Sequence, residues 1–173
     1  MPITPTQRAA GIRLMVLDVD GVLTDGRLYF GAGGEAMKVF DVRDGHGIKM
    51  LQRAGVEIAI LSARSSEIVN VRARDLGITR VLQGQADKAH GFAWLLAQTR
   101  MAAEHVGFVG DDLPDLPVLR LAGFAATVSD ARDEVKAAAH FIAPQAGGRA
   151  AVRAIAEFVL KAKGVSLETM VSA

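Results

Sequence analysis

The 173-residue chain contains no cysteine, which excludes a disulfide scaffold, a thiolate nucleophile and a cysteine-ligated zinc site. It also has no apolar run near the roughly 20 residues that cross a bilayer, so we expect no membrane partner. Neither charge sign is in excess: 20 basic and 19 acidic residues argue against a nucleic-acid partner. Residues 1–11 lack the basic-then-apolar pattern of a secretory signal, and we expect a cytoplasmic protein.

What is present is a globular composition in which apolar runs alternate with helical patterns. Half of the residues are apolar, and the length suits one domain. Strands predicted at 14–17, 58–61 and 106–109 alternate with helices, which predicts an α/β fold: a Rossmann-like, doubly wound parallel sheet. Two apolar segments, 28–30 and 37–40, flank a glycine-rich turn and predict a β-hairpin after the first strand.

The predicted domain covers residues 11–164, with the hairpin as a flap at about 27–40. Residues 1–10 and 165–173 are predicted to be flexible tails. In a doubly wound sheet the site lies beyond the carboxyl ends of the strands, which here are followed by polar segments at 18–25, 62–64 and 110–115. These three segments hold the candidate chemistry.

The first segment reads Asp18-Val-Asp20-Gly21. Side chains two residues apart in a strand share a face, roughly 6–7 Å apart, so one carboxylate can attack a small group while the other moves a proton. Gly21 permits a sharp turn or a close backbone approach. The alternative is an ordinary solvated strand end, where Asp and Gly are common.

The remaining candidates each have a plain structural alternative. Ser62 suits an anion but could simply cap a helix, and Lys88 could be a surface lysine. The acidic residues of the third segment favour a hard cation such as Mg²⁺, although surface acids are common; they are Asp111, Asp112 and Asp115. In the order Asp, Ser, Lys, Asp-Asp, the set supplies the parts of phosphoryl transfer through an aspartyl-phosphate.

These motifs resemble those of the haloacid dehalogenase superfamily of phosphatases across nearly the whole chain. Within it, the resemblance is strongest to the phosphatases of 3-deoxy-D-manno-octulosonate 8-phosphate (KDO 8-phosphate). The matching segments are 18–26, 42–45 with 47–48, 76–79, 83–85 with Lys88, 109–113, and 147–149 with 151–153. The resemblance implies a phosphoric monoester hydrolase with Mg²⁺ as cofactor and a service to lipopolysaccharide synthesis.

The resemblance also implies a role for each catalytic position. Asp18 would be the nucleophile and a Mg²⁺ ligand. Asp20 would be the general acid and then base, and its backbone carbonyl would also bind the metal. Asp111 would be the third ligand. Ser62 and Lys88 would hold the phosphoryl oxygens, and Asp112 or Asp115 would orient Lys88.

The resemblance implies that the substrate is a phosphorylated sugar acid, and it implies a set of residues that contact it. They are Asp20, Asp41, Val42, Arg43, Asp44, Gly45, Lys49, Arg64, Arg72 and Lys88, with Arg149 in support. The spacing from Asp20 to Ser62 and from Ser62 to Lys88 leaves no room for a cap domain, so the fold should be capless. The resemblance implies a homotetramer in which hairpins pack together and residues 147–153 help to close a neighbour's site.

Three features depart from the family, and three other functions compete. Ser62-Ala63 stands where relatives often have Thr-Gly, but the hydroxyl is retained. Lys49 stands where relatives often have arginine, and Asp41 where they often have asparagine, which affects sugar contacts and not the chemistry. One alternative is a phosphatase for another octulosonate or nonulosonate phosphate. Another is a phospho-acceptor signalling domain, although there the acidic pair comes first along the chain and here it comes last. A third is a structural module that has lost catalysis, which retention of every motif residue disfavours.

Overall fold

The structure is a computed structural model that describes residues 3–170. Its helices are α1 (Pro5–Gly11), α2 (Val42–Arg53), α3 (Glu67–Leu76), α4 (Lys88–Thr99), α5 (Leu116–Leu121), α6 (Asp133–Ala138) and α7 (Ala151–Ala162). Its strands are β1 (Leu14–Leu17), β2 (Tyr29–Gly31), β3 (Gly34–Met37), β4 (Glu57–Leu61), β5 (Arg80–Leu82), β6 (Val106–Val109), β7 (Phe124–Thr127) and β8 (Phe141–Ile142). Within residues 3–170, no helix has the length and apolar character that a membrane span needs.

A parallel sheet with the order β5-β4-β1-β6-β7-β8 forms the centre of the fold and confirms the predicted α/β class. All residues of β1, β6 and β7 are buried, as strands covered by helices on both faces should be. From β1 the chain winds outward to β4 and β5 on one side, and then to β6, β7 and β8 on the other. The crevice at this switch point lies beyond the carboxyl ends of β1, β4 and β6.

The hairpin after β1 is present, but its second strand lies earlier than predicted. Gly31 pairs with Gly34 across a two-residue turn, and Gly34 has a φ of +108° that favours glycine. The tight turn places β3 at Gly34–Met37, whereas a strand was predicted at 37–40. Lys38 therefore lies beyond the strand, and its side chain is buried.

Residues 1–10 were predicted to be a flexible tail, and this prediction is wrong where the structure describes them, because α1 occupies Pro5–Gly11. Thr4 accepts from the backbone N–H of Gln7, and the Gln7 side chain accepts from the Thr4 N–H, so the two residues form a capping box with Pro5 in the first turn. Ala9 is fully buried in the core. Met1 and Pro2 lie outside the described residues.

The predicted C-terminal tail is also partly ordered. A short 3₁₀ helix spans Leu167–Met170, and Arg53 donates a hydrogen bond to the Met170 carbonyl. Residues 171–173 lie outside the described residues. Helix α7 packs against both α2 and α1, and Lys163 Nζ donates to the Ala10 carbonyl at 3.0 Å.

Candidate active site

Asp18 stands at the carboxyl end of β1, in the crevice where the sheet changes direction. Its N–H donates to the Val109 carbonyl at 3.0 Å, which continues the pairing of β1 with β6 by one residue. Its carboxylate is only 6% exposed. Burial raises the pKa of Asp18, Lys88 opposes the shift, and the net pKa lies well above its ordinary value.

Lys88 begins α4 and joins two carboxylates from different loops. Its Nζ lies 2.8 Å from Asp18 Oδ2 and 2.6 Å from Asp115 Oδ1. Burial alone would lower the pKa of Lys88, but the two carboxylates outweigh it and the pKa lies above its ordinary value. The ammonium group is therefore charged and held in place in the buried part of the site.

Asp115 is the acid that orients Lys88, a choice the sequence left open between Asp112 and Asp115. Asp115 is 1% exposed, and its Oδ2 accepts from the N–H groups of Asp111 and Asp112 at 2.9 and 3.2 Å. Asp112 instead points outward, where its side chain is 60% exposed and accepts from Leu113 N. The loop after β6 is thus organised around Asp115.

Asp111 carries the negative charge that the surrounding residues leave uncompensated. Its Oδ1 is buried and has no hydrogen-bond partner among the described residues. Burial and the neighbouring Asp18 raise the pKa of Asp111 to about 7. Carboxylate oxygens of Asp18, Asp111 and Asp115 lie within 4.8 Å of one another, and within residues 3–170 the ammonium group that pairs with this cluster is that of Lys88. An oxygen-only donor set with an unpaired buried oxygen fits a hard divalent cation.

The loop after β1 depends on glycine for its shape. Gly21 has a φ of +90°, which favours glycine. Gly147 and Gly148 lie under the same loop: Gly148 N donates to the Val22 carbonyl at 3.0 Å, and a Cβ at Gly147 would lie 1.8 Å from the Gly21 carbonyl oxygen. The two glycines therefore support the loop of their own chain.

Ser62 and Asp20 complete the mouth of the site. Ser62 follows β4 and is 3% exposed. Asp20 Oδ1 accepts from Lys38 Nζ, and Arg64 Nε lies 3.6 Å from Asp20 Oδ2. Lys38 comes from the hairpin and carries no motif, so sequence reasoning missed it.

These side chains line an open cavity of about 280 Å³. Its lining is Asp18, Asp20, Gly26, Ser62, Ala63, Arg64, Lys88, Asp111, Asp112, Pro114 and Asp115. The structure thus brings together every predicted catalytic and metal-ligating residue, together with Arg64.

The other predicted substrate residues lie outside this cavity of the single chain. Asp41 caps α2 and pairs with the exposed Arg43. Arg72 lies over the Phe40 ring and pairs with Asp75 at 2.5 Å. The remaining ones are Val42, which is 80% exposed, Gly45, Lys49, which is half-buried, and Arg149, which is exposed.

Asp44 has a role in the fold that the sequence did not reveal. Its carboxylate is 2% exposed, and its Oδ1 accepts from the Arg153 N–H at 2.8 Å, near the start of α7. Helix α7 begins without a side-chain cap of its own, because Ala150 stands at that position. Asp44 supplies the missing acceptor from α2.

Residues 62–155 match the model of a family described as haloacid dehalogenase-like hydrolase, which is more than half of the chain.

The chain belongs to the haloacid dehalogenase-like hydrolase family.

Several similar members of this hydrolase family are known phosphatases. The chain is 43% identical over 157 residues to the 3-deoxy-D-manno-octulosonate 8-phosphate phosphatase of Yersinia pestis. The match covers 91% of this chain and 84% of the relative. Like these relatives, this haloacid dehalogenase-like hydrolase is a phosphoric monoester hydrolase.

Two solved structures of such phosphatases share the fold. A Moraxella catarrhalis enzyme solved with a magnesium ion, a phosphate ion and a KDO molecule has a TM-score of 0.90 and 38% identity, covering 92% of both chains. A cobalt-bound Haemophilus influenzae enzyme has a TM-score of 0.89 and 41% identity, covering 91% of this chain and 92% of that one.

Proposed function

We propose that the protein hydrolyses KDO 8-phosphate to KDO and inorganic phosphate, with Mg²⁺ as its cofactor and an aspartyl-phosphate as intermediate. The observation that best supports the reaction is the buried Asp18 carboxylate, which lies 2.8 Å from the Lys88 ammonium and within 4.8 Å of an Asp111 carboxylate oxygen. The similar phosphatases named for KDO 8-phosphate support the substrate. The lack of a cysteine nucleophile and the order of the motifs agree with the same reaction.

Asp18 and Asp20 share the chemical steps. Asp18 attacks phosphorus, a new O–P bond forms, and the bond from phosphorus to the sugar oxygen breaks while Asp20 gives that oxygen its proton. Asp20, now a carboxylate, takes a proton from a water molecule that attacks the aspartyl-phosphate. The acyl-phosphate O–P bond breaks, phosphate leaves, and Asp18 returns to its carboxylate form.

Lys88 and Ser62 hold the transferred group. The Lys88 ammonium at the floor of the cavity compensates charge on the phosphoryl oxygens, and Asp115 keeps it aligned. The buried Ser62 hydroxyl lies beyond β4, where it can donate to another of these oxygens. Because the three phosphoryl oxygens carry the charge in this reaction, fixed donors act mainly by positioning and electrostatics.

Asp18, Asp111 and the backbone carbonyl of Asp20 would hold Mg²⁺. When bound, Mg²⁺ neutralises charge on the phosphoryl group and on the attacking carboxylate. Asp115 is less suited as a ligand, since both of its oxygens already accept hydrogen bonds.

The sugar acid would be recognised by basic side chains around the cavity. Arg64 lies in its lining, while Arg43, Lys49, Arg72 and Arg149 lie outside it in the single chain. Guanidinium groups suit a substrate that carries both carboxylate and phosphate. Asp41, Val42, Asp44 and Gly45 complete this proposed set of substrate contacts.

A homotetramer would bring the outer residues to a neighbour's cavity. The hairpin and its flank expose large apolar side chains that the single chain does not cover, with exposed fractions from 45% to 80%: Leu28, Phe30, Met37, Val39 and Val42. Exposed apolar patches of this kind mark interaction surfaces. A second copy would cover them and place Arg149 near the mouth of the neighbouring site.

A phosphate-release assay tests the function. KDO 8-phosphate is compared with other phosphorylated sugar acids, with added Mg²⁺ and with EDTA. We expect a preference for KDO 8-phosphate and loss of turnover in EDTA that Mg²⁺ restores. A flat substrate profile would overturn the substrate but leave the reaction class, whereas unchanged turnover in EDTA would overturn the cofactor. A stable phosphoprotein that releases little phosphate would favour the signalling alternative.

A further inference from the structure

Lys38 is a buried cation that the reaction described above does not use. Its side chain is only 2% exposed, and its Nζ donates to Asp20 Oδ1 and lies 3.0 Å from Glu35 Oε1. Lysine is almost never buried unless it is paired, because removing an ammonium group from water is costly. The carboxylates of Asp20 and Glu35 are the partners that make this burial possible.

The position of Lys38 in the hairpin separates it from ordinary core packing. Phe30 and Met37 on the hairpin are 63% and 48% exposed, so the hairpin contributes little to the core of its own chain. Lys38 follows β3 directly and turns inward to reach the loop after β1. It is therefore an ionic link between the hairpin and the reacting end of the site.

Arg64 completes a ring of alternating charge around Asp20. Its Nε lies 3.6 Å from Asp20 Oδ2, and its Nη2 lies 3.7 Å from Glu35 Oε1. These distances exceed normal hydrogen-bond lengths, and the Arg64 side chain is 44% exposed. Lys38 thus holds Oδ1 of Asp20, while the partner of Oδ2 within the described residues 3–170 is the more distant and partly exposed Arg64.

We propose that Lys38 is a positioning residue that fixes the carboxyl group of Asp20, so that Oδ2 is the oxygen that exchanges the proton. The inference rests on the proposed role of Asp20 as general acid and base. A proton donor must lie within hydrogen-bond reach of the leaving oxygen, and a carboxyl group that rotates freely at an open cavity mouth would spend little time there. Glu35 in turn holds Lys38 in place.

Lys38→Met tests the inference, because the substitution should affect the turnover of two substrates differently. With KDO 8-phosphate, whose sugar oxygen needs a proton to leave, we expect kcat to fall about 10²-fold with KM changed less than about threefold. With p-nitrophenyl phosphate, whose leaving group needs no proton, the first step should survive. Rapid mixing should then show a burst of p-nitrophenolate that equals the enzyme concentration, followed by slow phosphate release.

Two further variants complete the design. Lys161→Met removes an exposed lysine on α7 and should leave both substrates unaffected. Glu35→Gln weakens the ion pair that holds Lys38 and leaves Asp20 unchanged. It should lower kcat for KDO 8-phosphate by a smaller factor and keep the p-nitrophenolate burst. It also keeps the inference testable if thermal unfolding shows that Lys38→Met does not fold.

Three outcomes would overturn the inference. Unchanged kcat in Lys38→Met would mean that Asp20 needs no such restraint. A raised KM with unchanged kcat would make Lys38 a substrate contact, and loss of the aryl burst would place it in the attack by Asp18. Failure of the proposed function is seen separately, in the wild-type protein: if wild type does not hydrolyse KDO 8-phosphate, the same comparison is made with whichever alkyl phosphate it does hydrolyse.

Discussion

Gly21 approaches Asp111 so closely that a Cβ on Gly21 would lie 2.1 Å from Asp111 Oδ2. Gly21→Ala should displace the Asp111 carboxylate, and we expect the Mg²⁺ concentration for half-maximal activity to rise roughly tenfold or more. The measurement is turnover against Mg²⁺ concentration. Gly11→Ala is the matched control, because nothing lies within 4 Å of a Cβ at that position. An unchanged Mg²⁺ dependence in Gly21→Ala would contradict the proposed ligand.

Asp18→Asn should abolish phosphate release while the chain still folds. Asparagine cannot form the acyl phosphate, so we expect turnover to fall by at least about 10⁴-fold. Lys88 keeps its contact with Asp115 at 2.6 Å, which should preserve the loop after β6. Phosphate release and circular dichroism are measured together, with the fully exposed Asp133→Asn as control. Turnover near the wild-type rate would refute the nucleophile.

Asp111 should couple metal binding to stability. Mg²⁺ at a hundredfold excess over its Kd should raise the free energy of unfolding of the wild type by about 2.7 kcal/mol, and this gain should be lost in Asp111→Asn. In EDTA the variant should be at least as stable as the wild type, since burial of the Asp111 charge is then uncompensated. Thermal unfolding in Mg²⁺ and in EDTA measures both effects. Equal stabilisation of the two proteins by Mg²⁺ would exclude Asp111 as a ligand.

Asp44 should make stability fall as pH rises from about 4 to 6. Burial raises its pKa to about 6, so between the unfolded value of 3.8 and about 6 the native state binds more protons than the unfolded state. The free energy of unfolding therefore decreases with pH in this window, by roughly 3 kcal/mol at most.

Urea unfolding at a series of pH values measures this slope. Asp44→Asn should make the slope shallower by the share of this one residue, because Asp18 and Asp111, whose pKa values are also raised, still titrate. Asp133→Asn should leave the slope unchanged. A wild-type slope in the Asp44→Asn protein would assign the pH dependence to other groups.

Phe30 should contribute to assembly. Phe30→Asp places a charge in the exposed apolar patch of the hairpin, and we expect the mass measured by light scattering to drop to that of a smaller assembly. Leu121→Asp makes the same kind of change at an apolar side chain of α5 that is 55% exposed, and it should not change the mass. A wild-type protein that is monomeric at micromolar concentration would remove the tetramer from the proposal.

Strong local signals explain which parts of the fold could be predicted from the sequence. β1, β4 and β6 are fully apolar runs that end in polar residues, and each was placed within one residue. Helix α1 was missed because apolar periodicity is weak there, although Thr4-Pro-Thr-Gln7 carries a capping signal. β8, with only two residues, is too short to leave a pattern.

The residues of the site likewise fall into those that the sequence predicts and those that it does not. Asp18, Ser62 and Lys88 follow buried strands or begin a helix, so topology alone brings them together. Lys38 and Asp44 could not be assigned from the sequence, because their partners lie 18 and 109 residues away. Nothing local distinguishes a lysine that turns inward after a hairpin from one that stays in solvent.

The contact between Lys163 and the Ala10 carbonyl joins the segment after α7 to the end of α1, on the side where α1 leads into the amino end of β1. The catalytic side chains project from the opposite edge of the sheet. A substitution that removes this contact would therefore leave the cavity untouched.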